Sequence, residues 1–442
     1  MDVFKVRSLV LPGVIAGLAG CVGGARVRQH DAMVAAVTRA AAERPRAGEL
    51  DDAALVVDGA LDRAAVVTAV LARNPDLDAA RATWRAAVAA FPSAVALDDP
   101  VASYALAPFS IGSDAPFGQR VEVRQKLPWP GKRELRGDAA LADAEAARAD
   151  LEALRLDLAE AAVQAFADNY IAARALQINQ HHRELLERIE RSALAQYTTG
   201  RGSQQDSLEA RAHTIELDRE RLMLEKQRRI AVATLNRLLH RKADAELPPP
   251  PSRLVVVPRA AEPAREHPRQ VAAAARSRAR QASIDQADRR FYPDFEVMAS
   301  YDSMWDISEH RWMIGVGIEI PLQRGTRRAD LERARAEQAK AAAELASVTD
   351  MLDEGRERAR REIDESTEVL ALYEQRLLPT TRERVDAALA GFTSGQNPFS
   401  TVVMAEHELR DVELSIERTR AELDRQLAAL DRLEGRIPGG AR

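Results

Sequence analysis

Residues 121–133 read VEVRQKLPWPGKR, and a second block at residues 312–325 reads WMIGVGIEIPLQRG. In both blocks, apolar residues alternate with polar or small residues until a proline stops the pattern. Alternation that ends in a proline turn predicts a β-strand. The two blocks belong to an internal duplication with an offset of about 195 residues, and such a repeat decides the fold before any single motif does.

Each of these strands is preceded by another candidate strand. In the second repeat the candidate is clear, because apolar residues alternate from Phe295 to Tyr301. In the first repeat the candidate lies between Ala96 and Phe109 and is weaker, since Asp98-Asp99-Pro100 interrupts it. We therefore expect four strands per chain, with the extent of the first one open.

A long amphipathic pattern follows each strand pair, over residues 133–197 and 327–392. Apolar residues recur there at steps of three and four, as coiled-coil-like packing requires. At about 1.5 Å per residue, each pattern predicts an unbroken helix about 100 Å long. Shorter helices are expected over residues 61–90, 204–239, 264–290 and 399–433. One preceding and one returning short helix together match a long helix, so we expect four columns of equal height per chain.

The composition excludes several classes of protein. Of the 442 residues, 30% are charged and only 4% are aromatic, which is typical of long, mutually packed helices. The net charge is -5 with both signs interspersed, so the basic face that a nucleic-acid partner requires is missing.

No motif of catalysis or cofactor binding is present. Gly131-Lys132 lacks the upstream glycine of a phosphate-binding loop, and the sequence has neither His-Glu-x-x-His nor Gly-x-Ser-x-Gly. His181 and His182 point about 100° apart on a helix, so we interpret both as surface residues and not as metal ligands. We expect no enzyme, no cofactor and no metal site.

Residues 1–20 read as an export signal, with Lys5 and Arg7 before a short apolar segment. The signal ends at Cys21, the single cysteine of the chain, and resembles a bacterial lipoprotein signal in which this cysteine is lipidated. An ordinary secretory signal is the alternative. After Cys21 no apolar run approaches the roughly 18 residues of a spanning helix. Any membrane association must therefore rely on a covalently attached lipid or on β-strands.

Four strands cannot close a barrel, and an open sheet edge is not viable in lipid. Spanning barrels need at least about eight strands, so a dimer is the minimum and a trimer gives twelve. The row from Trp312 to Ile320 is apolar enough to face lipid, whereas Glu319 would face a wet lumen. The alternative is a small antiparallel sheet packed on one end of a helical bundle.

The order of elements, the turn Pro128-Trp129-Pro130-Gly131-Lys132-Arg133 and the paired turns 197–200 and 392–395 resemble the outer membrane factor (TolC-like) family. Segments 197–210 and 392–405 are also similar to that family's helix tips. The resemblance implies a mainly α fold with a small β part. It also implies a homotrimer with a twelve-stranded barrel in the outer membrane and a helical tunnel across the periplasm.

The same resemblance implies a passive exit channel that works with a periplasmic adaptor (membrane fusion protein) and an inner-membrane RND pump. Segment 127–132 is most like the branch found with heavy-metal exporters of the Czc and Cus type, which favours metal cations as cargo over drugs. Two other readings are a lipid-anchored coiled-coil scaffold without a pore and the adaptor itself. An adaptor would carry one helical hairpin, whereas this chain has two.

We expect the helix tips to form the periplasmic constriction and the adaptor contact. The candidate tip residues are Thr198, Thr199, Gly200, Arg201, Gly202, Ser203, Thr393, Ser394, Gly395, Gln396, Asn397 and Pro398. Glycine there suits the left-handed backbone that closes a helix. Arg201 is a candidate gate residue, and Gln204 to Asp206 either line the tip or cap the helix. The alternative is that these are only hairpin turns.

The strand-to-helix turns are assigned to Pro128, Trp129, Pro130, Gly131, Pro321 and Gly325. The domain boundaries follow from the repeat. They are a signal at 1–20, an anchor and linker at 21–60, the first repeat at 61–242, a Pro-rich linker at 243–263, the second repeat at 264–434 and a tail at 435–442.

Overall fold

The computed structural model of the chain describes residues 23–42, 55–108, 111, 117–200, 203–256, 266–305 and 307–439. The signal segment and Cys21 lie outside the described residues, and so do Arg201 and Gly202. The described chain is mainly helical with a small β part, which confirms the predicted fold class.

The two halves of the chain share the order short helix, strand pair, long helix and returning helix, and the first half carries additional elements before it. The first half contains α1 (Gly24–Ala42), β1 (Val56–Val57), β2 (Ala60–Leu61), α2 (Arg63–Arg73), α3 (Pro75–Val95), β3 (Val101–Leu106), β4 (Gln119–Leu127), α4 (Lys132–Thr198) and α5 (Gln204–Leu238). The second half contains α6 (Pro268–Arg289), β5 (Asp294–Asp302), β6 (Trp312–Glu319), α7 (Arg324–Leu372), a π-helical turn (Tyr373–Leu377), α8 (Leu378–Thr393) and α9 (Phe399–Leu433). The predicted sequence of short helix, strand pair, long helix and returning helix is thereby confirmed.

The second long helix is not unbroken, which corrects the prediction. It contains the π-helical turn, in which the Leu378 N–H donates to the Tyr373 carbonyl, five residues back. The cause is Pro379, which has no N–H and whose ring clashes with the carbonyl four residues earlier. A wider turn relieves that clash without ending the helix. The first long helix, α4, runs without such an interruption.

The short helix predicted over residues 61–90 is also divided. It is broken at Asn74, whose backbone is extended because the next residue is Pro75. The Asn74 side chain then accepts a hydrogen bond from the Asp76 N–H at 2.9 Å and so caps α3. Helix α1 and the short β1–β2 hairpin lie in the segment expected to be anchor and linker. Helix α7 begins at Arg324, so Gly325 lies in its first turn and not in the preceding loop.

Strands β3 to β6 form one antiparallel sheet in the order β3-β4-β5-β6. The first strand begins directly after Pro100, which agrees with the short strand expected there. Its register with β4 pairs Val101 with Arg124 and Leu106 with Gln119. Strands β3 and β6 are the two edges of this sheet.

The chain divides into two compact units, and each contains parts of both repeats. One comprises residues 1–43, 80–150 and 269–348, and the other comprises 44–79, 151–268 and 349–442. The first unit holds the sheet, α1 and the alanine-rich α6, whose buried residues are all alanines. Small side chains let its helices approach closely: a Cβ on Gly137 of α4 would lie 2.8 Å from Val95 Cγ1.

The second unit holds the paired ends of the long and returning helices. One of its apolar clusters is shared among α4, α5, α8 and α9 and contains Leu186, Ile189, Ala193, Ala210, Leu217, Val385, Ala388, Phe392, Phe399, Val402, Val403 and Ala405. Within the described helices, no stretch has the length and apolar character needed to cross a membrane.

Candidate functional site

One face of the four-stranded sheet is apolar and open. Cross-strand neighbours on it share chemistry, as when Val123 lies opposite Ala299, which lies opposite Ile314. The side chains of alternate residues on β6 remain exposed in the single chain, with Ile314 at 79%. The exposed apolar residues of this face include Tyr104, Val121, Val123, Trp312, Ile314, Val316 and Ile318. A patch of this kind marks an interaction with another protein or with a membrane.

The opposite face of the same sheet is charged. Arg120 bonds Asp302 at 2.7 Å, and Lys126 bonds Glu319 at 2.5 Å, both across strands. Successive side chains on a strand point to opposite faces, so the sequence alternation produces one apolar and one polar surface. The expected separation of Glu319 from the apolar row is therefore observed.

The first strand-to-helix turn is built tightly around Asp294. The Trp129 N–H and the Lys132 ammonium both donate to Asp294 Oδ1 at 2.7 Å. Gly131 has a φ of +92°, a left-handed conformation that glycine adopts without strain. The Trp129 ring stacks on Tyr292 at 5.4 Å between ring centroids and on Phe295 at 5.6 Å. The assigned turn residues Pro128 to Gly131 thus lie in one ordered turn.

The second strand-to-helix turn is more open. Pro321 and Leu322 line a hollow of about 450 Å³ together with Phe291, Pro293, Ile320, Arg324 and Arg328. A Cβ on Gly325 would meet nothing within 4 Å, so glycine is not required there by packing. Gly325 is the second residue of α7, directly after this turn.

The first helix tip is held by its own backbone. Gly200 has a φ of +72°, as predicted for a helix-closing glycine, and its N–H donates to the Tyr197 carbonyl at 3.0 Å. The Thr198 and Thr199 hydroxyls both donate to the Ala195 carbonyl at 3.0 Å. Beyond the two undescribed residues, Ser203 caps α5 in a capping box with Asp206. Asp206 thus caps the helix, one of the two roles left open for it.

The second tip is packed more tightly. Gly395 has a φ of +76°, and the Gly391 carbonyl accepts from the Gln396 N–H at 2.7 Å and the Asn397 N–H at 3.1 Å. A Cβ on Gly391 would lie 2.1 Å from Asn397 Nδ2, so no other residue fits without movement.

Other contacts complete this tip. The Thr393 hydroxyl donates to the Ala390 carbonyl and the Ser394 hydroxyl to the Gly391 carbonyl, while Pro398 precedes the first turn of α9. Phe392 and Phe399 pack edge to face at 5.5 Å across the turn. The sequence pattern of the turn does not point to Gly391, because this glycine lies in the helix before the turn.

His182 is buried, which corrects its assignment to the surface. Its side chain is inaccessible because α4 packs on α9 here, and Nδ1 lies 2.5 Å from Glu406 Oε1 while Nε2 lies 3.1 Å from Glu413 Oε2. Burial opposes the charged form, but the hydrogen bonds to the two carboxylates outweigh it and raise the pKa of His182 to about 9. Its neighbour His181 is exposed, as expected.

A second buried polar network surrounds the π-helical turn. Tyr170 Oη donates to Glu417 at 2.5 Å and accepts from the Leu254 N–H at 3.0 Å, which ties the Pro-rich linker to α4 and α9. Burial, followed by the bond to Glu417, raises the pKa of Tyr170 to about 12. Arg420 bonds both Glu417 and Glu374, the latter within the π turn. A polar cavity of about 350 Å³ lies beside these groups.

Neither network resembles a catalytic or metal centre. Over the described ranges, no group of three or more His, Cys, Asp or Glu side chains is placed to hold a metal ion. Each buried carboxylate discussed above is bonded to a cation or a hydroxyl, which is the arrangement that makes buried charges tolerable. The networks therefore stabilise the packing of the helices through interhelical hydrogen bonds.

Comparison with known proteins identifies the fold. Residues 263–436 match the family described as "Outer membrane efflux protein". No curated protein sequence matches the chain.

Several solved structures have the same fold. The outer-membrane channel OprN superposes with a TM-score of 0.73 at 22% identity, covering 84% of this chain and 89% of OprN. The outer membrane protein VceC of Vibrio cholerae gives 0.72 at 18% identity, covering 84% and 96%. CusC, which forms a transmembrane channel, gives 0.73 at 17% identity, covering 89% and 98%. The chain therefore has the fold of the outer-membrane channels, and its second half matches the outer membrane efflux protein family directly.

Proposed function

We propose that this chain is the outer-membrane channel subunit of a tripartite efflux pump, a passive exit duct and not an enzyme. The observation that carries the proposal is the sheet with one apolar, exposed face and one charged face. A sheet packed on a helical bundle would bury its apolar face, whereas Ile314 and Val316 stay exposed. A sheet with two such faces suits contact with lipid on the apolar side and with water on the charged side.

The sheet edges support a homotrimer. Among the described residues, strands β3 and β6 each have one side without a partner strand in the single chain. Unpaired backbone groups are not tolerated in lipid, so other copies must pair with both edges. Three copies of four strands close a twelve-stranded barrel, with the charged face lining the lumen.

We place the chain in the outer membrane, anchored by lipid on Cys21 and extending into the periplasm. The two tips, Thr198 to Ser203 and Thr393 to Pro398, form the periplasmic entrance and contact the adaptor, and an inner-membrane RND pump supplies the energy. Support comes from the paired left-handed glycines at the same place in both repeats. The repeats themselves, 61–242 and 264–434, are the proposed building units.

The proposed cargo is heavy-metal cations. The support is the Leu127-Pro128-Trp129-Pro130-Gly131-Lys132 segment, whose resemblance is to the Czc and Cus branch. The similarity to OprN is as high as that to CusC, so the fold alone favours neither metals nor organic toxicants. Transport of this kind requires no metal ligand in the channel subunit.

The test has two parts. Purified protein in planar lipid bilayers should produce stepwise ionic conductance, and a scaffold without a pore would produce none. A deletion strain should then become sensitive to metal salts and recover with the wild-type chain. Sensitivity only to dyes, detergents or antibiotics would keep the channel and overturn the metal cargo. Complementation by Cys21→Ser tests the lipid anchor separately.

A further inference from the structure

The hollow at the second strand-to-helix turn joins an apolar surface to a basic one. Its apolar wall consists of Phe291, Ile320 and Leu322, and its rim carries Arg324 and Arg328. Leu322 is 82% exposed and Ile320 is 67% exposed, although both are large aliphatic residues. The structure thus leaves open an apolar surface that ordinary packing would cover.

This apolar wall continues the exposed face of the sheet. Along β6 the residues Ile314, Val316 and Ile318 face the same side, and Ile320 extends the alternation beyond the end of the strand. If the sheet lies in lipid, as proposed above, acyl chains that cover β6 reach the hollow without a break.

The two arginines on the rim differ from the basic residues around them. Among the described residues, neither Arg324 nor Arg328 has a hydrogen-bonded or ionic side-chain partner. By contrast, Arg290 pairs with Asp330 at 3.2 Å, and Arg327 donates to the Arg290 carbonyl at 2.8 Å. Residues four apart on a helix lie on one face, so the two free guanidinium groups point to the same side.

Aromatic residues occupy the same end of the sheet. Trp129 stacks on Tyr292, and Arg289 lies over the Tyr292 ring at 5.5 Å. Trp and Tyr are enriched where a protein crosses the boundary between hydrocarbon and headgroups. In the proposed membrane orientation, these aromatic residues put the hollow at the depth of the lipid phosphates.

We propose that this hollow binds an anionic phospholipid of the periplasmic leaflet. An acyl chain covers Ile320, Leu322 and Phe291, while the phosphate accepts hydrogen bonds from Arg324 and Arg328. Guanidinium groups suit this role because their planar donors match phosphate oxygens in pairs. The absence of an acidic partner leaves two positive charges for the headgroup. The inference rests on the proposed membrane insertion of the sheet.

The test uses full-length protein in nanodiscs of phosphatidylcholine with a minor fraction of phosphatidylglycerol. Native mass spectrometry after release from the nanodisc measures which lipid stays bound. Wild-type protein should retain phosphatidylglycerol, and the double variant Arg324→Gln/Arg328→Gln should lose affinity for it by about 30-fold, since each basic residue near an anionic surface contributes roughly fivefold. The matched control Arg333→Gln/Arg335→Gln removes two charges farther along α7 and should bind like wild type.

A third variant tests the apolar wall. Leu322→Gln should weaken phosphatidylglycerol binding while leaving Arg324 and Arg328 in place. Inorganic phosphate should not displace the lipid from wild-type protein; displacement would show a free-anion site and overturn the proposal. Equal retention of phosphatidylglycerol by wild type and the double arginine variant would also overturn it.

The failure of this inference and that of the channel proposal can be told apart. Conductance is measured on the same preparations. A variant that conducts with no lipid preference refutes the lipid site alone. Absence of conductance from wild-type protein refutes the channel, whatever lipid is bound.

Discussion

The two repeats have the same elements but place them in opposite environments. In the first repeat the long helix α4 is buried, with Phe166 and Tyr170 almost fully inaccessible, while the returning helix α5 buries one side and exposes large apolar residues on the other. In the second repeat the long helix α7 buries only Ala334, Ala341, Leu352 and Ala359, while the returning helix α9 is buried. We call α4 and α9 the inner pair, and α5 and α7, which expose more of their side chains, the outer pair.

This difference shows that equivalent helices of the two repeats make different packing contacts. On α5, the exposed apolar residues Leu208, Ile215 and Leu222 recur at heptad spacing. Ile230 continues the row one residue beyond the next heptad position. The equivalent places on α9, about 195 residues on, are Val403, Arg410, Glu417 and Arg425. Val403 and Glu417 are buried within the chain. The exposed row on α5 is therefore the surface that other copies would cover in the proposed trimer, whereas the inner pair stabilises the single chain.

The largest expected effect concerns assembly through the outer pair. Leu222→Asp should abolish trimers and leave folded monomers, because the aspartate must be desolvated in each of three interfaces at several kcal/mol per ion. Leu222 is 65% exposed in the single chain, so the monomer tolerates the change. Light scattering after size-exclusion chromatography measures the oligomer. The control Gln227→Asp adds the same charge elsewhere on α5 and should remain trimeric; trimers of Leu222→Asp would remove α5 from the interface.

The inner pair should respond in stability. His182→Ala leaves Glu406 buried without its partner, and an unpaired buried charge typically costs about 3–5 kcal/mol. The midpoint of thermal unfolding should fall accordingly. His181→Ala, at the exposed neighbouring position, should have almost no effect. Equal effects of the two variants would contradict the burial of His182.

The same histidine makes stability depend on pH. Its pKa is about 9 in the folded chain and near 6.5 when unfolded, so folding binds a proton. The contribution is fully present below about pH 6.5 and is lost as pH rises through about 9, amounting to roughly 3 kcal/mol. The charged side chains close to His182 are Glu406, Glu413 and Arg382. Burial opposes ionisation of Glu413, but its hydrogen bonds to His182 and Arg382 lower the pKa of this carboxyl group.

Thermal unfolding followed across that pH range checks this prediction. His182→Gln should flatten the profile, since glutamine can bond a carboxylate without titrating. A wild-type profile that is already flat between pH 6.5 and 9 would contradict the raised pKa.

The smallest expected effects separate the two tips. Gly391→Ala should destabilise the second tip by about 1–3 kcal/mol, because the new Cβ overlaps Asn397. Gly200→Ala meets no atom within 4 Å and should cost only the left-handed backbone, about 1 kcal/mol. Hydrogen exchange of the tip amides reports each locally. Faster exchange after Gly200→Ala than after Gly391→Ala would reverse the ranking of the tips.

The tips also test function. Gly200→Phe and Gly395→Phe should impair export while outer-membrane trimers persist, because the added rings crowd the proposed entrance. The alanine variants at the same positions share the backbone strain without the bulk and serve as controls. Unchanged export in both phenylalanine variants would leave the tips as plain hairpin turns.

Much of the fold could be predicted from the sequence because its signals are local. Period-two alternation gave β4, β5 and β6, and the glycines at 200 and 395 adopt the left-handed backbone that helix closure requires. Proline explains two errors: Pro75 divides a helix that the apolar pattern would continue, and Pro379 produces the π turn. Both prolines were visible in the sequence, but their effect depends on whether the helix can rearrange around them.

The site was harder to predict because its contacts come from distant segments. His182 meets Glu406 and Glu413 more than 220 positions later, and no local pattern distinguishes it from exposed His181. Glycine is favoured at position 391 because the Asn397 side chain packs against it, and this contact forms only when the tip is folded. In the sequence, Arg324 and Arg328 cannot be distinguished from the many other charged residues of α7. Their lack of partners is visible only in three dimensions.

The central claim is that the sheet separates lipid from water, and neighbouring residues on β6 test it most directly. Ile314→Cys lies on the apolar face, and Met313→Cys lies on the charged face. Both variants are treated, in isolated outer membranes, with a water-soluble maleimide that does not enter lipid. The account predicts labelling at position 313 and protection at position 314. Equal labelling at both positions would contradict a membrane-inserted sheet and, with it, the channel.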